Sequence, residues 1–482
     1  MRLHFVAAVT TLALALSACS SSSGLRPQGV LIDAGSLQAT HSLAALDASA
    51  AHWPATDWWT GLGDTQLSAL IGEALRDNPD LAMADARARD AQAQAGVADA
   101  ARKPDVNGAA SVSGARIPDT VVADGGHFAT SKYAYARFNW GLDVWGGKRD
   151  AWQAAVGAAR AAEVDAHAAR IELSGNVARA YAQLGYAFAQ QDLGTAELVR
   201  ANAARALTQQ RLAAGIDNRI QLKQSDGEVA SARQNLALGK RAVVSARSAL
   251  SVLLGKGPDR GLQIQRPRML QQAPLTLPVN LPVGLLAHRA DLVAARWRVE
   301  AAGRGIQATK TEFLPNISLG AMAGVVVLGG GNPLSLPARF YQFGPTLSLP
   351  IFAGGRLRAQ LAGKDAEYDT AAAQYNQTLV AALNQVADEF SALQSLDEQI
   401  AAQKSARDAA TAAWELAQQR YMAGIGSYLE ALGVRQQLLA AERGSAALAA
   451  QRVDVSLQMI QALGGGYQPR ADNAPPTDPT HS

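Results

Sequence analysis

Cys19 is the only thiol in the 482-residue chain, and it follows Leu16-Ser17-Ala18 and precedes four serines, Ser20 to Ser23. Upstream lie Arg2 and an apolar stretch from Val6 to Leu16, too short to span a bilayer and flanked in the manner of an export signal. An exported chain with one cysteine has no disulfide to make, so the chemistry open to Cys19 is to take a covalent substituent. No other group of reactive side chains is arranged for chemistry. The seven histidines (His4, His41, His52, His127, His167, His288, His481) are scattered without ligand spacing, and there is no His-Glu-x-x-His, Cys-x-x-Cys or Walker-type glycine loop. Gly61-Leu62-Gly63 and Gly329-Gly330-Gly331 lack the strand-to-helix context of a phosphate cradle and read as turns. The expectation is a protein that is not an enzyme and that holds no metal.

Leu16-Ser17-Ala18-Cys19 resembles a bacterial lipoprotein processing site, at which residues 1–18 leave as signal peptide and Cys19 becomes the lipid-bearing first residue. Ser20 in the next position fits sorting to an outer membrane. The plainer alternative is an ordinary signal peptide with an incidental cysteine. A formal charge of +3, with no basic patches interleaved with aromatics, gives no case for nucleic acid. No later apolar run approaches the roughly 20 residues of a membrane helix. If the chain enters a membrane, strands must take it there.

The elements that would position such residues come as two copies of one plan. From Tyr341, Phe343, Leu347, Leu349 and Ile351 alternate with Gln342, Gly344, Thr346 and Ser348, and a Gly354-Gly355 corner then opens a long helical pattern at Arg356. Ala134, Ala136, Phe138, Trp140 and Leu142 alternate with Tyr135, Arg137 and Asn139 ahead of the corresponding corner at Gly146-Gly147. The pattern predicts a lipid-anchored N-terminal segment over 19–63, a first repeat over 64–256, a proline-rich connector over 257–285, a second repeat over 286–466 and a disordered tail over 467–482. Strands are expected near 104–115, 132–144, 315–327 and 340–351, and helical hairpins near 148–254 and 355–463. A proline-free stretch from Lys148 to Ala213 would make a helix roughly 95 to 100 Å long. On the returning helix Leu222, Val229, Leu236, Val243 and Leu250 stand seven apart, the seam of a coiled coil.

The duplication is carried by spacing. Asp291-Leu292 answers Asp80-Leu81 and Pro315 answers Pro104, both 211 positions on. Gln418-Gln419-Arg420 with Gly424-Ile425 answers Gln209-Gln210-Arg211 with Gly215-Ile216, and Leu463-Gly464 answers Leu254-Gly255, each 209 positions on. In each half the turn glycine, Gly215 or Gly424, supplies the left-handed conformation that ends a helix.

Four strands, each with an apolar and a polar face, are long enough to cross an outer membrane at a tilt but cannot close a barrel alone. Unpaired backbone in lipid costs several kcal/mol per group, so closure between chains is required if these strands lie in a membrane. Two chains give eight strands, whose interior side chains fill; three give twelve and leave a lumen. A soluble sheet packed on one side also alternates and stays open as a reading, as does a lipid-anchored structural coiled coil without a channel.

The residues resemble the TolC-like outer membrane factors, in particular the lipoprotein branch serving tripartite efflux systems. The resemblance rests on the Cys19 site, Asp57-Trp58-Trp59 with Asp64 and Leu67, Leu281-Pro282 through Arg289-Ala290-Asp291-Leu292, Pro350-Ile351-Phe352-Ala353-Gly354-Gly355-Arg356, and Arg420-Tyr421 with Gly424, Ser427 and Leu429. It implies an α+β membrane protein, a homotrimer with a twelve-stranded outer-membrane β-barrel continued by a periplasmic helical tunnel. It also implies a periplasmic adaptor and an inner-membrane transporter as partners, with export of small molecules as the function and type I protein secretion as the alternative. By the same resemblance Arg420, Tyr421, Glu430, Arg211 and Gln221 are candidates for the periplasmic gate, and Gly215, Ile216, Asp217, Gly424, Ile425 and Gly426 for the turns that meet the adaptor. Gln221 stands where some members carry an acid, which argues against a strong acidic ring.

Overall fold

The structure, a computed structural model, describes residues 22–37, 53–116, 128–268, 281–329 and 331–468, with positions 118, 120, 126 and 270. The expected signal segment 1–18, Cys19 and the tail beyond 468 lie outside the described residues. The chain divides into two compact units, one of Met1–Leu31, Arg87–Ala162 and Ala294–Asn376, the other of Ile32–Ala86, Glu163–Val293 and Gln377–Ser482.

The first unit is built on a four-stranded sheet in the order β1 (Asp105–Arg116), β2 (Phe128–Leu142), β3 (Asn316–Leu328), β4 (Arg339–Ser348), antiparallel throughout. Register sorts its two faces. Val106 lies across from Phe138, Phe138 from Ala321 and Ala321 from Phe343, while Trp140 pairs Leu319 and Ile317 pairs Leu347. One residue along, Asn107 faces Arg137, Arg137 faces Met322 and Met322 faces Gln342, and Ser318 faces Thr346. Because side chains alternate with period two, these two rows point to opposite faces. On the apolar face Val106, Val112, Tyr341, Phe343 and Leu347 are 68–80% exposed in the single chain. The second edges of β1 and β4 carry no strand partner among the described residues.

In the second unit, Asp64 starts helix α1 (Thr65–Asp77): its Oδ1 accepts from the backbone N–H of Gln66 at 2.8 Å and of Leu67 at 3.0 Å. One face of α1 then buries Leu67, Leu70, Ile71 and Ala74 in a core with Trp58, Val177, Tyr181, Leu184, Leu250 and Ile460. The Tyr181 phenol donates to the other oxygen of Asp64 at 2.9 Å, so the cap is held from inside the core. Asn78 separates α1 from α2 (Pro79–Ala100), its Oδ1 accepting from the N–H of Asp80 at 2.7 Å.

Two long helical hairpins follow the two halves of the sequence: α3 (Gly147–Ala213) with α4 (Arg219–Leu253), and α8 (Arg356–Met422) with α9 (Tyr428–Ala462). Their lengths, 67 and 35 residues, are the same in both copies. Of the seam on α4, Val229, Val243 and Leu250 are buried while Leu222 and Leu236 are half-buried. The described part of the connector is less extended than its prolines suggest. It holds short helices α5 (Pro258–Leu262) and α6 (Leu281–His288), ahead of α7 (Ala290–Thr311), because Pro258 and Pro282 sit in first turns, where a missing N–H has no partner to lose.

After α9 the chain turns through three glycines with positive φ, and a Cβ on Gly464 (φ +93°) would meet the His288 carbonyl oxygen at 1.9 Å. Gly464→Ala is therefore expected to destabilise the second unit by about 2 kcal/mol or more, combining left-handed strain with a backbone clash. Thermal unfolding followed by circular dichroism measures it, and a variant matching the parent would show that this turn relaxes freely.

Candidate gate at the helical turns

The two hairpin turns are near copies of each other. In the first, the N–H of Ile216 donates to the Arg211 carbonyl at 2.8 Å and that of Gly215 to Leu212 at 3.0 Å; in the second, Ile425 donates to Arg420 at 3.0 Å and Gly424 to Tyr421 at 3.1 Å. Gly215 and Gly424 take φ of +74° and +76°, which lets these reversed bonds close the helix ends. Each returning helix starts on a side-chain cap. Asn218 Oδ1 accepts from the N–H of Ile220 and Gln221 at 2.9 and 3.1 Å, and Gln221 Oε1 accepts from the N–H of Asn218 at 2.7 Å. Gln221 is thereby half of a capping box. Ser427 Oγ accepts from the N–H of Glu430 at 3.0 Å.

Between the hairpins, Asp217 is the meeting point. Its Oδ2 accepts from Arg211 Nε at 3.1 Å and from the Tyr421 hydroxyl at 3.0 Å. The Arg211 guanidinium lies 4.6 Å from the Tyr421 ring centre. The Asp217 side chain is 3% exposed and that of Arg211 15%, so the pair is shielded from water. Tyr421 also meets Tyr428 edge-on at 5.8 Å in a small core with Ala431. Burial holds the Tyr421 hydroxyl above the usual tyrosine range; Thr208 opposes the shift, and the Asp217 carboxylate adds to it. The phenol is therefore a fixed donor at neutral pH. Burial pushes Tyr428 up to about 12.

Arg420 and Glu430 stand apart from this group. Arg420 Nε lies 3.6 Å from Glu430 Oε1 with both side chains about half exposed, 53% and 48%. Exposed pairs of this kind contribute about 0–1 kcal/mol. The structure thus brings Arg211, Asp217 and Tyr421 together, a set that joins two expected gate residues to one expected turn residue. Ile216 and Ile425 remain exposed at 63% and 70%, at the outermost point of each turn.

Residues 70–256 and 281–465 each match the outer membrane efflux protein family, the two segments falling on the two copies of the plan described above. The chain belongs to the outer membrane efflux protein family. It is similar to the fusaric acid resistance protein FusA of Burkholderia cepacia, 37% identical over 74% of this chain and 69% of that protein. Against the outer membrane protein OprJ of Pseudomonas aeruginosa it is 31% identical over 95% of both chains. The crystal structure of the outer membrane protein VceC from Vibrio cholerae superimposes with a TM-score of 0.80 at 34% identity, covering 86% of this chain and all of that one. As a member of this family the protein serves efflux at the outer membrane.

A second charged group in this efflux protein was not visible as a site in the sequence. Glu197 of α3 accepts from Arg435 of α9 at 2.8 and 3.1 Å and from Arg200 at 3.1 Å through Nε. Arg200 also lies 3.8 Å from Glu228 of α4, and both guanidiniums stand 5.8 Å from the ring of Trp414 on α8. All four long helices meet here. The side chains of Glu197 and Arg435 are only 5% and 10% exposed. Burial alone would raise the Glu197 pKa, but the hydrogen bonds and charges of Arg200 and Arg435 outweigh it and leave it lowered. The available signal was position: Arg435 shares a buried stripe with Tyr428, Ala431 and Leu438 at helical spacing, where a charge is out of place unless paired.

Proposed function

We propose that three copies of this chain close one twelve-stranded barrel and form the outer-membrane exit duct of a tripartite pump for small molecules. A periplasmic adaptor would meet the turns at Gly215 and Gly424, and an inner-membrane transporter would supply the driving force. The observation that carries this reading is the sheet: register gives it one mainly apolar face, exposed in the single chain, an opposite face that carries a polar row, and two edges that have no strand partner among the described residues. Such a sheet is suited to lipid on one side and water on the other once its edges are joined. The polar row of Asn107, Arg137, Gln342, Ser318 and Thr346 would line the lumen.

Cys19 would carry covalent lipid after removal of residues 1–18, adding an anchor beside the barrel. The group formed by Arg211, Asp217 and Tyr421 would hold the tunnel end closed at rest. No helix among the described residues is long and apolar enough to cross a membrane. Reconstitution in planar bilayers tests the duct: discrete conductance steps are expected from particles that native mass spectrometry counts as trimers. Well-folded monomers that stay silent would refute it and favour an anchored coiled coil without a channel.

A further inference from the structure

The mainly apolar row of the sheet changes character at one end. On β1 it runs from Val106 through Val112 to Arg116, on β2 from Trp140 back to Lys132, and on β4 from Phe343 back to Arg339. Register puts the three cations on that one face. Lys132 lies opposite Val112 on one side and Val327 on the other, Arg339 lies opposite Val325, and Arg116 lies opposite Phe128. All three stand at the end of the sheet away from the glycine corners at Gly146 and Gly354. Arg116 and Arg339 are exposed and Lys132 is half-buried, and none of them forms an ion pair among the described residues. The acid of the described strands, Asp105, lies at the opposite end of β1 and in the alternate row, across from Asn139. Arg137, the fourth cation of these strands, is also in the alternate row. Aromatic rings accompany the three charges. The Phe128 ring takes the space that a Cβ on Gly114 would fill, which sets it on this same face, and Tyr341, two residues from Arg339, is 80% exposed. A cation on a lipid-facing strand is costly at the bilayer midplane and nearly free at its boundary. From Lys132 to Leu142 the strand rises about 34 Å, or about 25 Å in height at a tilt of about 40°, the height of the apolar band of an outer-membrane barrel.

We propose that Arg116, Lys132 and Arg339 form a docking site for the phosphates of a phosphorylated glycolipid in the outward-facing leaflet, repeated on each copy of the chain. This rests on the reading that the strands cross the outer membrane as a trimeric barrel. A guanidinium meets phosphate oxygens through two parallel hydrogen bonds, and the lysine adds a point charge. Arg339 is across from Val325, which is across from Ala134, two residues from Lys132. The backbones of Lys132 and Arg339 are therefore about 12 Å apart, which suits a disaccharide headgroup with a phosphate at each end. A glycerophospholipid offers a single phosphate and engages fewer of these cations at once. The rings of Phe128 and Tyr341 stand at the level where headgroup meets acyl chain, the place amphipathic and aromatic side chains favour at a bilayer boundary.

The test uses the full chain, purified in detergent and freed of bound lipid. Native mass spectrometry counts the lipid retained after addition of diphosphorylated lipid A, its dephosphorylated form, or phosphatidylglycerol. The diphosphorylated form is expected to bind about tenfold more tightly than either of the others. Joint Lys132→Gln and Arg339→Gln should weaken its binding by about tenfold or more, at about fivefold for each cation brought near an anionic surface. Lys132→Arg with Arg339→Lys keeps both charges and should retain it. Arg137→Gln, which removes one charge from the alternate row, should leave lipid retention unchanged. Equal retention of the phosphorylated and dephosphorylated forms, phosphatidylglycerol held as tightly as diphosphorylated lipid A, or a double glutamine variant that binds like the parent would each overturn the proposal, as would an equal loss from Arg137→Gln. Planar-bilayer conductance of the same preparations judges the barrel separately: silent monomers remove the duct, whereas conducting trimers without lipid preference remove this site alone.

Discussion

Glu197→Ala is expected to cost about 3 kcal/mol in the assembly of the two hairpins, the scale for removing one partner of a buried ion pair. The variant leaves Arg435, with a side chain 10% exposed, to Glu442 at 3.4 Å as its carboxylate partner among the described residues, and leaves Arg200 to a longer contact with Glu228. Trp414 would lose the fixed guanidiniums on its ring. Hydrogen exchange in detergent should show protection falling around residues 197–205 of α3 and 431–442 of α9 together, because the network joins them. Loss confined to α3 would mean that Arg435 finds other partners. The same carboxylate predicts a pH dependence. Its folded pKa lies below the ordinary 4.5, so its contribution is complete above the unfolded value and fades as pH falls through the folded one. Stability of the parent should therefore drop on acidification below about 4.5 more steeply than that of Glu197→Gln, which has no proton to take up at this position.

Asp217→Ala should open the tunnel end. This substitution removes the shared acceptor of the Arg211 guanidinium and the Tyr421 hydroxyl in one step. At about 1.5 kcal/mol for each shielded bond to a charged group, the closed arrangement would lose about 3 kcal/mol, a shift on the order of a hundredfold towards open states. Tyr421→Phe keeps the ion pair and the aromatic contact with Tyr428, so a shift of about five- to tenfold is expected. Joint replacement of Arg420 and Glu430 by alanine should have the smallest effect of the three, since their pair is half exposed and 3.6 Å apart. Single-channel recordings and the entry of large antibiotics into cells expressing each variant give the ranking. A double Arg420 and Glu430 variant leakier than Asp217→Ala would place the closing contacts at that exposed pair instead.

The ranking illustrates how far residue order can go at this site. That Arg211 and Arg420 occupy equivalent places is legible from the 209-residue repeat. The different roles of the two arginines are not. Asp217 follows the first turn and Gly426 holds the equivalent place after the second, so at this position the first hairpin has a carboxylate to offer and the second has none. Which side chain of the opposite hairpin reaches that carboxylate depends on how the helices are set side by side, and local sequence carries no record of it. The same holds for Glu197 and Arg435, 238 positions apart and in contact.

What the sequence determined by itself was the repeating plan. Period-two alternation, glycine corners, proline-free runs and heptad seams are local properties, written in spacing and backbone preference, and they specify strands, turns and long helices wherever they occur. Tertiary structure alone decided the pairing of β2 with β3 across the two halves, which aligns Phe138 with Ala321 and makes one apolar face from four separate strands. It alone placed Asp369 under the backbone of Gln28 and Gly29, some 340 positions away, and turned Asp217 from a turn residue into a buried acceptor. The physical reason is that periodicity fixes which face of an element is apolar, whereas the partner that covers a face, or satisfies a buried charge, is chosen by packing between elements distant along the chain.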